Sequence, residues 1–149
     1  MFLSSKKSFT LMEMLLAVAI LAYILCGMLA MYISCFDLIS TSRNMSIATN
    51  AAEGLMEQIR SYNFTQIASD YDQLTFTVNG LPAQNMGVVY VNDTNPELLQ
   101  VTISVCWRQK GRIIGEDTNL NGVLNGAEDV NGNNIIDSPV ELVSLIVNR

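Results

Sequence analysis

The feature that most constrains this chain is a long run without charge. Residues 14–36, 23 positions, contain no Asp, Glu, Lys or Arg and are broken only by small or weakly polar types such as Cys26, Gly27, Ser34 and Cys35. As an α-helix rising about 1.5 Å per residue, such a run crosses a bilayer hydrocarbon core of roughly 30 Å. A secretory signal peptide has a shorter apolar stretch with a small-residue cleavage site after it, and no convincing site of that kind follows Phe36. Lys6 and Lys7 precede the run, and Arg43 and Arg60 are the only cations in the 36 residues after it. The excess of positive charge before the run places the N-terminus in the cytoplasm and the rest of the chain outside.

Composition removes several function classes. The chain has 149 residues, half of them hydrophobic and 15% charged, which excludes a disordered polar chain. No His is present, so hydrolases with a His base and most zinc hydrolases are excluded, and no nucleophile–base pair converges in the sequence. The chain therefore reads as a non-enzyme. Eight Lys+Arg against 14 Asp+Glu give a net charge of −6, and the cations are scattered, so no direct nucleic-acid binding is expected. Three widely spaced Cys define no disulfide framework. Cys26 and Cys35 stand nine residues apart on one helix, too far to bridge.

Helical spacing persists past the apolar run. Met45, Ala48, Ala52, Leu55, Ile59 and Tyr62 recur at steps of three and four, forming one stripe, while Arg43, Asn50, Glu53, Glu57 and Arg60 mostly lie off it. No Pro occurs from Phe9 to Tyr62, so one helix of roughly 80 Å is expected. A helix of that length cannot be buried in so small a protein. Its first half needs lipid or other subunits, and its second half needs a domain packed on its stripe. Short alternating or β-branched runs follow at residues 74–78, 88–91, 101–107 and 142–147, separated by turn clusters such as Asn79, Gly80, Leu81, Pro82 and Asn92 through Pro96. The fold class expected is α+β: a long N-terminal α-helix, with a membrane half and an amphipathic half, packed on a small antiparallel β-sheet. Val101, Ile103, Val105 and Trp107 share the face expected to form the core. Cys106 falls on the opposite face with Thr102 and Ser104, as a free thiol away from the core.

A polar insert at about 115–138 interrupts the last hairpin. From Asp117 it fits the calcium loop D-x-[DN]-x-[DN]-G-x5-E at Asp117, Asn119, Asn121, Gly122 and Glu128. Side chains at loop positions one, three and five converge on one point, and Gly at six permits the sharp turn. Val123 offers its carbonyl at seven, and Glu128 can clamp with two oxygens at twelve. Oxygen-only ligands select Ca²⁺ over zinc. The pattern recurs twelve residues on. Asp129, Asn131 and Asn133 match positions one, three and five, Ile135 would offer its carbonyl at seven, and Asp137 stands at nine. This second copy is degenerate. Asn134 replaces the Gly, although Asn tolerates the left-handed conformation, and Val140 stands at the clamp position. One ion is expected in the first loop and a weaker second in the other. With no helix between them the loops are not a paired EF-hand domain, and they are similar to the calcium loops of dockerins and other extracellular repeats.

The beginning of the chain carries a second resemblance. Lys6, Lys7, Ser8, Phe9, Thr10, Leu11, Met12 and Glu13, followed by the uncharged run, resemble the processing motif of type IV pilins and type II secretion pseudopilins. Residues 51–64 resemble the second helix half of the minor members of this family, and the strands ending at Trp107 and at the C-terminus resemble their last hairpin. The resemblance implies a leader at 1–8 cut by the prepilin peptidase between Ser8 and Phe9, and N-methylation of Phe9. It also implies a transmembrane assembly helix at 9–36 and a periplasmic domain at 37–149. The family usually has Gly where this chain has Ser8. Glu13, the fifth residue after the cut, would neutralise the amino terminus of a neighbouring subunit between packed apolar helices. The expected function is a minor pilin-like structural subunit of a type II secretion system or type IV pilus. It would start in the inner membrane, join other pilin or pseudopilin subunits in a filament, and be stabilised by calcium. The alternative is a membrane-anchored calcium-dependent binding module that does not polymerise.

Overall fold

The computed structural model describes residues 10–148. The expected cut at Ser8 and Phe9 lies outside the described residues, as do Lys6 and Lys7.

Helix α1 spans Leu11–Arg60 without a break. Thr10 opens it: its hydroxyl accepts from the Glu13 N–H at 3.3 Å, and Glu13 Oε2 accepts from the Thr10 N–H at 3.0 Å. This reciprocal pair is a capping box, which satisfies two N–H groups left over at a helix start. Every side chain from Leu11 to Phe36 is exposed, so the first part of the helix is long and apolar enough to cross a membrane and buries none of its apolar surface in its own chain.

Chain contacts divide the protein into two compact units, residues 1–40 and 41–149. In the second unit, Asn44, Ala48, Ala52, Met56 and Ile59 of α1 are buried. The stripe is thus rotated from the expected one. Met56 takes the central place, Met45 and Leu55 flank it, and Tyr62 lies beyond the helix end, 42% exposed. A polar contact accounts for Asn44: its side-chain amide donates to Gln109 Oε1 at 3.1 Å, which also accepts from Trp107 Nε1 at 3.1 Å. A short second helix, α2 (Phe64–Tyr71), follows at once, capped by Asn63, whose Oδ1 accepts from the Thr65 N–H. Sequence periodicity did not announce it, because eight residues are too few to show a helical stripe clearly.

Five strands form one antiparallel sheet: β1 (Thr75–Phe76), β2 (Asn85–Asn95), β3 (Leu98–Gln109), β4 (Arg112–Ile114) and β5 (Glu141–Val147). One more strand exists than the four expected. The Asn92–Pro96 cluster is mostly strand, since β2 pairs on through a bulge as far as Asn95 opposite Leu98. Central strand β3 pairs with β2 along one edge. Its other edge is shared: β4 pairs with Trp107–Gln109 and β5 with Leu98–Ser104. The chain therefore leaves this edge after Ile114 and returns to it at Glu141, which forces the insert across a face of the sheet.

Both faces of β3 are covered. Val101, Ile103, Val105 and Trp107 are fully buried in the main core with α1, each such large apolar side chain contributing about 1.5–3 kcal/mol. Thr102, Ser104 and Cys106 point the other way and are buried too. The expectation that Cys106 lies away from any core is corrected here. The insert lays Ile136 over Val88 and Cys106, with Met86, Tyr90, Leu120 and Leu124 around them, as a second small core. Cys106 is a free thiol, as expected, and burial pushes it up to about 11.

Candidate metal centre

The insert is closed at its base by paired backbone contacts. Glu116 N–H donates to the Asp137 carbonyl at 2.8 Å, and Asp137 N–H donates to Glu116 Oε2 at 3.2 Å. Tyr90 Oη accepts from the Ile136 N–H at 3.1 Å and ties the second loop to β2. Between these ties the chain makes two loops with one hydrogen-bond skeleton.

In the first loop, Asp117 Oδ1 accepts from the N–H of Asn121 and Oδ2 from that of Gly122, at 3.2 and 2.8 Å. Asn119 Oδ1 accepts from Asn121 N–H and Asn121 Oδ1 from Val123 N–H, at 3.0 and 2.8 Å. In the second loop, Asp129 Oδ1 and Oδ2 accept from Asn133 and Asn134, both at 3.1 Å. Asn131 Oδ1 accepts from Asn133 and Asn133 Oδ1 from Ile135, both at 3.0 Å. The backbone repeats as well. Positions four and six have positive φ in both loops, at Leu120 and Gly122 (56° and 75°) and at Gly132 and Asn134 (76° and 61°). Asn134 thus adopts the left-handed conformation expected of it. Position eight repeats in packing, since Leu124 and Ile136 both reach the second core. These side-chain-to-backbone turns hold the Asx oxygens of each loop on its concave side.

The carboxylates differ between the loops. Glu128, at position twelve, is buried and folds back on the first loop. Its Oε1 accepts from Thr118 N–H at 3.0 Å and Asn119 Nδ2 at 3.2 Å, and its Oε2 from Asn125 N–H and Nδ2, both at 3.1 Å. The Thr118 hydroxyl also donates to it and is the main reason its carboxyl is held below the usual range, against the opposing effect of burial. Sequence reasoning missed Thr118, since position two of such a loop carries no ligand and gave no signal. The first loop thus brings Asp117, Asn119, Asn121 and Glu128 together. The Val123 carbonyl is engaged by Asn125 Nδ2 at 3.1 Å. In the second loop Asp137 collects the amides of Asn131 and Asn133, so Asp129, Asn131, Asn133 and Asp137 are linked. Ile135 stands beside them with its N–H bound to Asn133.

Asp117 is fully buried and Glu128 nearly so, and among the described residues neither pairs with Lys or Arg. Two buried carboxylates without a cation are costly, and a bound cation would offset that cost. The donor set is carboxylate, amide and carbonyl oxygen, which suits a hard ion. Among the described residues no three His, Cys, Asp or Glu side chains converge as a metal cluster. The candidate loops each rely on two acids, with amides completing the set. Glu141, another residue the sequence did not single out, has its carboxyl raised, first by burial and then by the neighbouring Asp137 charge. Glu13 stands apart from this centre, engaged in its capping box. Compared with known proteins, the chain matches no family profile, no curated protein and no solved structure.

Proposed function

We propose that this chain is a minor pilin-like or pseudopilin-like structural subunit of a type II secretion system or type IV pilus, and not an enzyme. The reading begins in the inner membrane, with prepilin peptidase cutting between Ser8 and Phe9, and ends with the apolar helix packed among other subunits of a filament. The observation that carries it is the contrast along α1: residues 11–36 are wholly exposed and apolar, whereas Ala48, Ala52, Met56 and Ile59 are buried under a small antiparallel sheet. An isolated subunit leaves the first set without a partner, and lipid followed by neighbouring helices supplies one. Intact mass of the membrane-extracted protein tests it. The expected mass lacks residues 1–8 and carries one added methyl group; a retained leader overturns the reading.

The Thr10–Glu13 capping box favours a second reading, because it gives Glu13 a local task that a plain anchor could also use. The chain would then be a membrane-anchored calcium-dependent binding module that does not polymerise. Glu13→Gln keeps a capping side chain and removes the charge. If Glu13 neutralises a neighbour, Glu13→Gln and Glu13→Val both lose co-purification with partner subunits. If it only caps the helix, Glu13→Gln behaves as wild type.

In either reading the insert binds calcium. Asp117, Asn119, Asn121, Glu128 and the Val123 carbonyl hold one ion; Asp129, Asn131, Asn133, Asp137 and the Ile135 carbonyl hold a second more weakly. Few carboxylates imply affinities in the range of about 10⁻⁴–10⁻³ M. At a hundredfold excess over the dissociation constant the folded state still gains about 2.7 kcal/mol. Chelation is expected to lower the melting temperature and open residues 115–138 to protease. An unchanged melting curve in millimolar calcium, with no binding heat, removes calcium from the proposal.

A further inference from the structure

The second loop lacks an acid at position twelve, and the start of β5 explains where one can come from. Val140 occupies that position but belongs to the sheet. Its carbonyl accepts from Val105 N–H at 3.1 Å, and its side chain is buried in the main core. A strand turns successive side chains to opposite faces, so the next residue, Glu141, emerges on the face that carries the insert. It pairs across the strands with Ser104. Two residues along the same face, Cys106 Sγ lies 3.8 Å from the Asp137 carbonyl oxygen. Asp137 and Glu141 are consequently brought together, and their carboxyls are hydrogen-bond neighbours. Ser104 supplies an independent observation. Its hydroxyl is 1% exposed and has no hydrogen-bond partner among the described residues. Ser104 shares the Cys106 face and stands opposite Glu141, so its hydroxyl points into the space bounded by Asp137 and Glu141. A buried hydroxyl without a partner calls for a polar occupant.

We infer that Glu141 is the displaced clamp carboxylate of the second calcium loop, and that the Ser104 hydroxyl holds a water on that ion. Position nine of such loops often binds its ion through water, which places the water beside Asp137. Glu141 replaces the missing acid at position twelve from one residue further on, because position twelve has been taken into the sheet. The ion would join the end of the insert to the first residue of β5.

This inference rests on the proposal that the insert binds calcium, and the test separates the two. The full chain, solubilised in detergent, is titrated with calcium by equilibrium dialysis. Wild type is expected to bind two ions. Glu128→Gln should lose the tighter ion and keep the other. Glu141→Gln should keep the tighter ion and weaken the second by about tenfold or more, and Ser104→Ala should weaken the second by about tenfold. Glu141→Gln is isosteric, and retention of the tighter ion reports that the variant is folded. Two ions bound by Glu141→Gln with wild-type affinity overturn the inference and leave the calcium proposal standing. A single wild-type ion, lost in Glu128→Gln and untouched in Glu141→Gln, also overturns it. No ion bound by wild type removes the calcium proposal itself, and the inference with it.

Discussion

Asp117 and Asp129 occupy the same position in the two loops of the insert, and each accepts hydrogen bonds from the N–H groups of positions five and six. Asp117 is nevertheless fully buried, whereas Asp129 is only partly covered. The shared skeleton comes from Asx turns, which depend on residues two to five apart in sequence. The difference comes from what lies underneath. The first loop rests on the sheet, with Gly122 against Thr75 and Met86, while the second is held mainly by Ile136 and the closing contacts at Asp137. Local sequence therefore shapes a loop, and tertiary position decides how much energy depends on it.

The largest expected effect puts that distinction at risk directly. Asp117→Ala strips the buried Gly122 N–H of its acceptor, and each unsatisfied buried group costs about 1–3 kcal/mol. Asp129→Ala removes equivalent bonds in an exposed loop where water replaces them, with an expected loss below about 1 kcal/mol. Denaturant unfolding followed by the fluorescence of the single, fully buried Trp107 measures both. Equal losses would mean that burial does not separate the loops.

A smaller contrast comes from the glycines. Gly122 has φ 75°, and a Cβ there would sit 2.5 Å from Thr75 Cγ2. Gly132 has φ 76° with open space around it. Ala at either position carries the left-handed penalty of roughly 1–2 kcal/mol. Gly122→Ala must also displace β1 or the loop, so it should lower the melting temperature clearly more than Gly132→Ala. If the two shift it equally, the first loop is not seated on β1.

The same contrast shows what could be read from the sequence and what could not. The calcium-loop pattern, its period of twelve and the left-handed Asn134 were legible because they are local. The fold class was legible too, since the uncharged run and the alternation at Val101 to Trp107 each state their own periodicity. Strand β4 was not, because three residues, Arg112–Ile114, are too short to carry a pattern. The burial of Cys106 and Ser104 depends on the insert folding back over β3, and no spacing rule reports a contact between Cys106 and Asp137 across 31 positions. The roles of Thr118 and Glu141 were hidden for the same reason: each follows from a neighbour supplied by folding.

The smallest expected effect is a pH dependence with opposite signs at the two ends of the insert, read in chelator so that no ion contributes. Glu128 is held below the ordinary carboxylate range, mainly by the Thr118 hydroxyl. Its folded state binds the proton less readily than the unfolded chain, so it contributes stability above the unfolded value of about 4.3, and that contribution disappears as pH falls through its lowered value. Glu141 is raised, by burial and then by Asp137. Here the folded state binds the proton more readily, so stability rises as pH falls through the raised value, and the gain is complete below the unfolded one. On acidification from neutrality the melting temperature should first climb slightly as Glu141 protonates, then decline as Glu128 does. Glu141→Gln should erase the climb and keep the decline. Glu128→Gln should begin lower and lose its own share of the decline. A Glu141→Gln profile that still climbs would separate Glu141 from Asp137, and with it the reason a cation at the end of the second loop would be favoured by that pair.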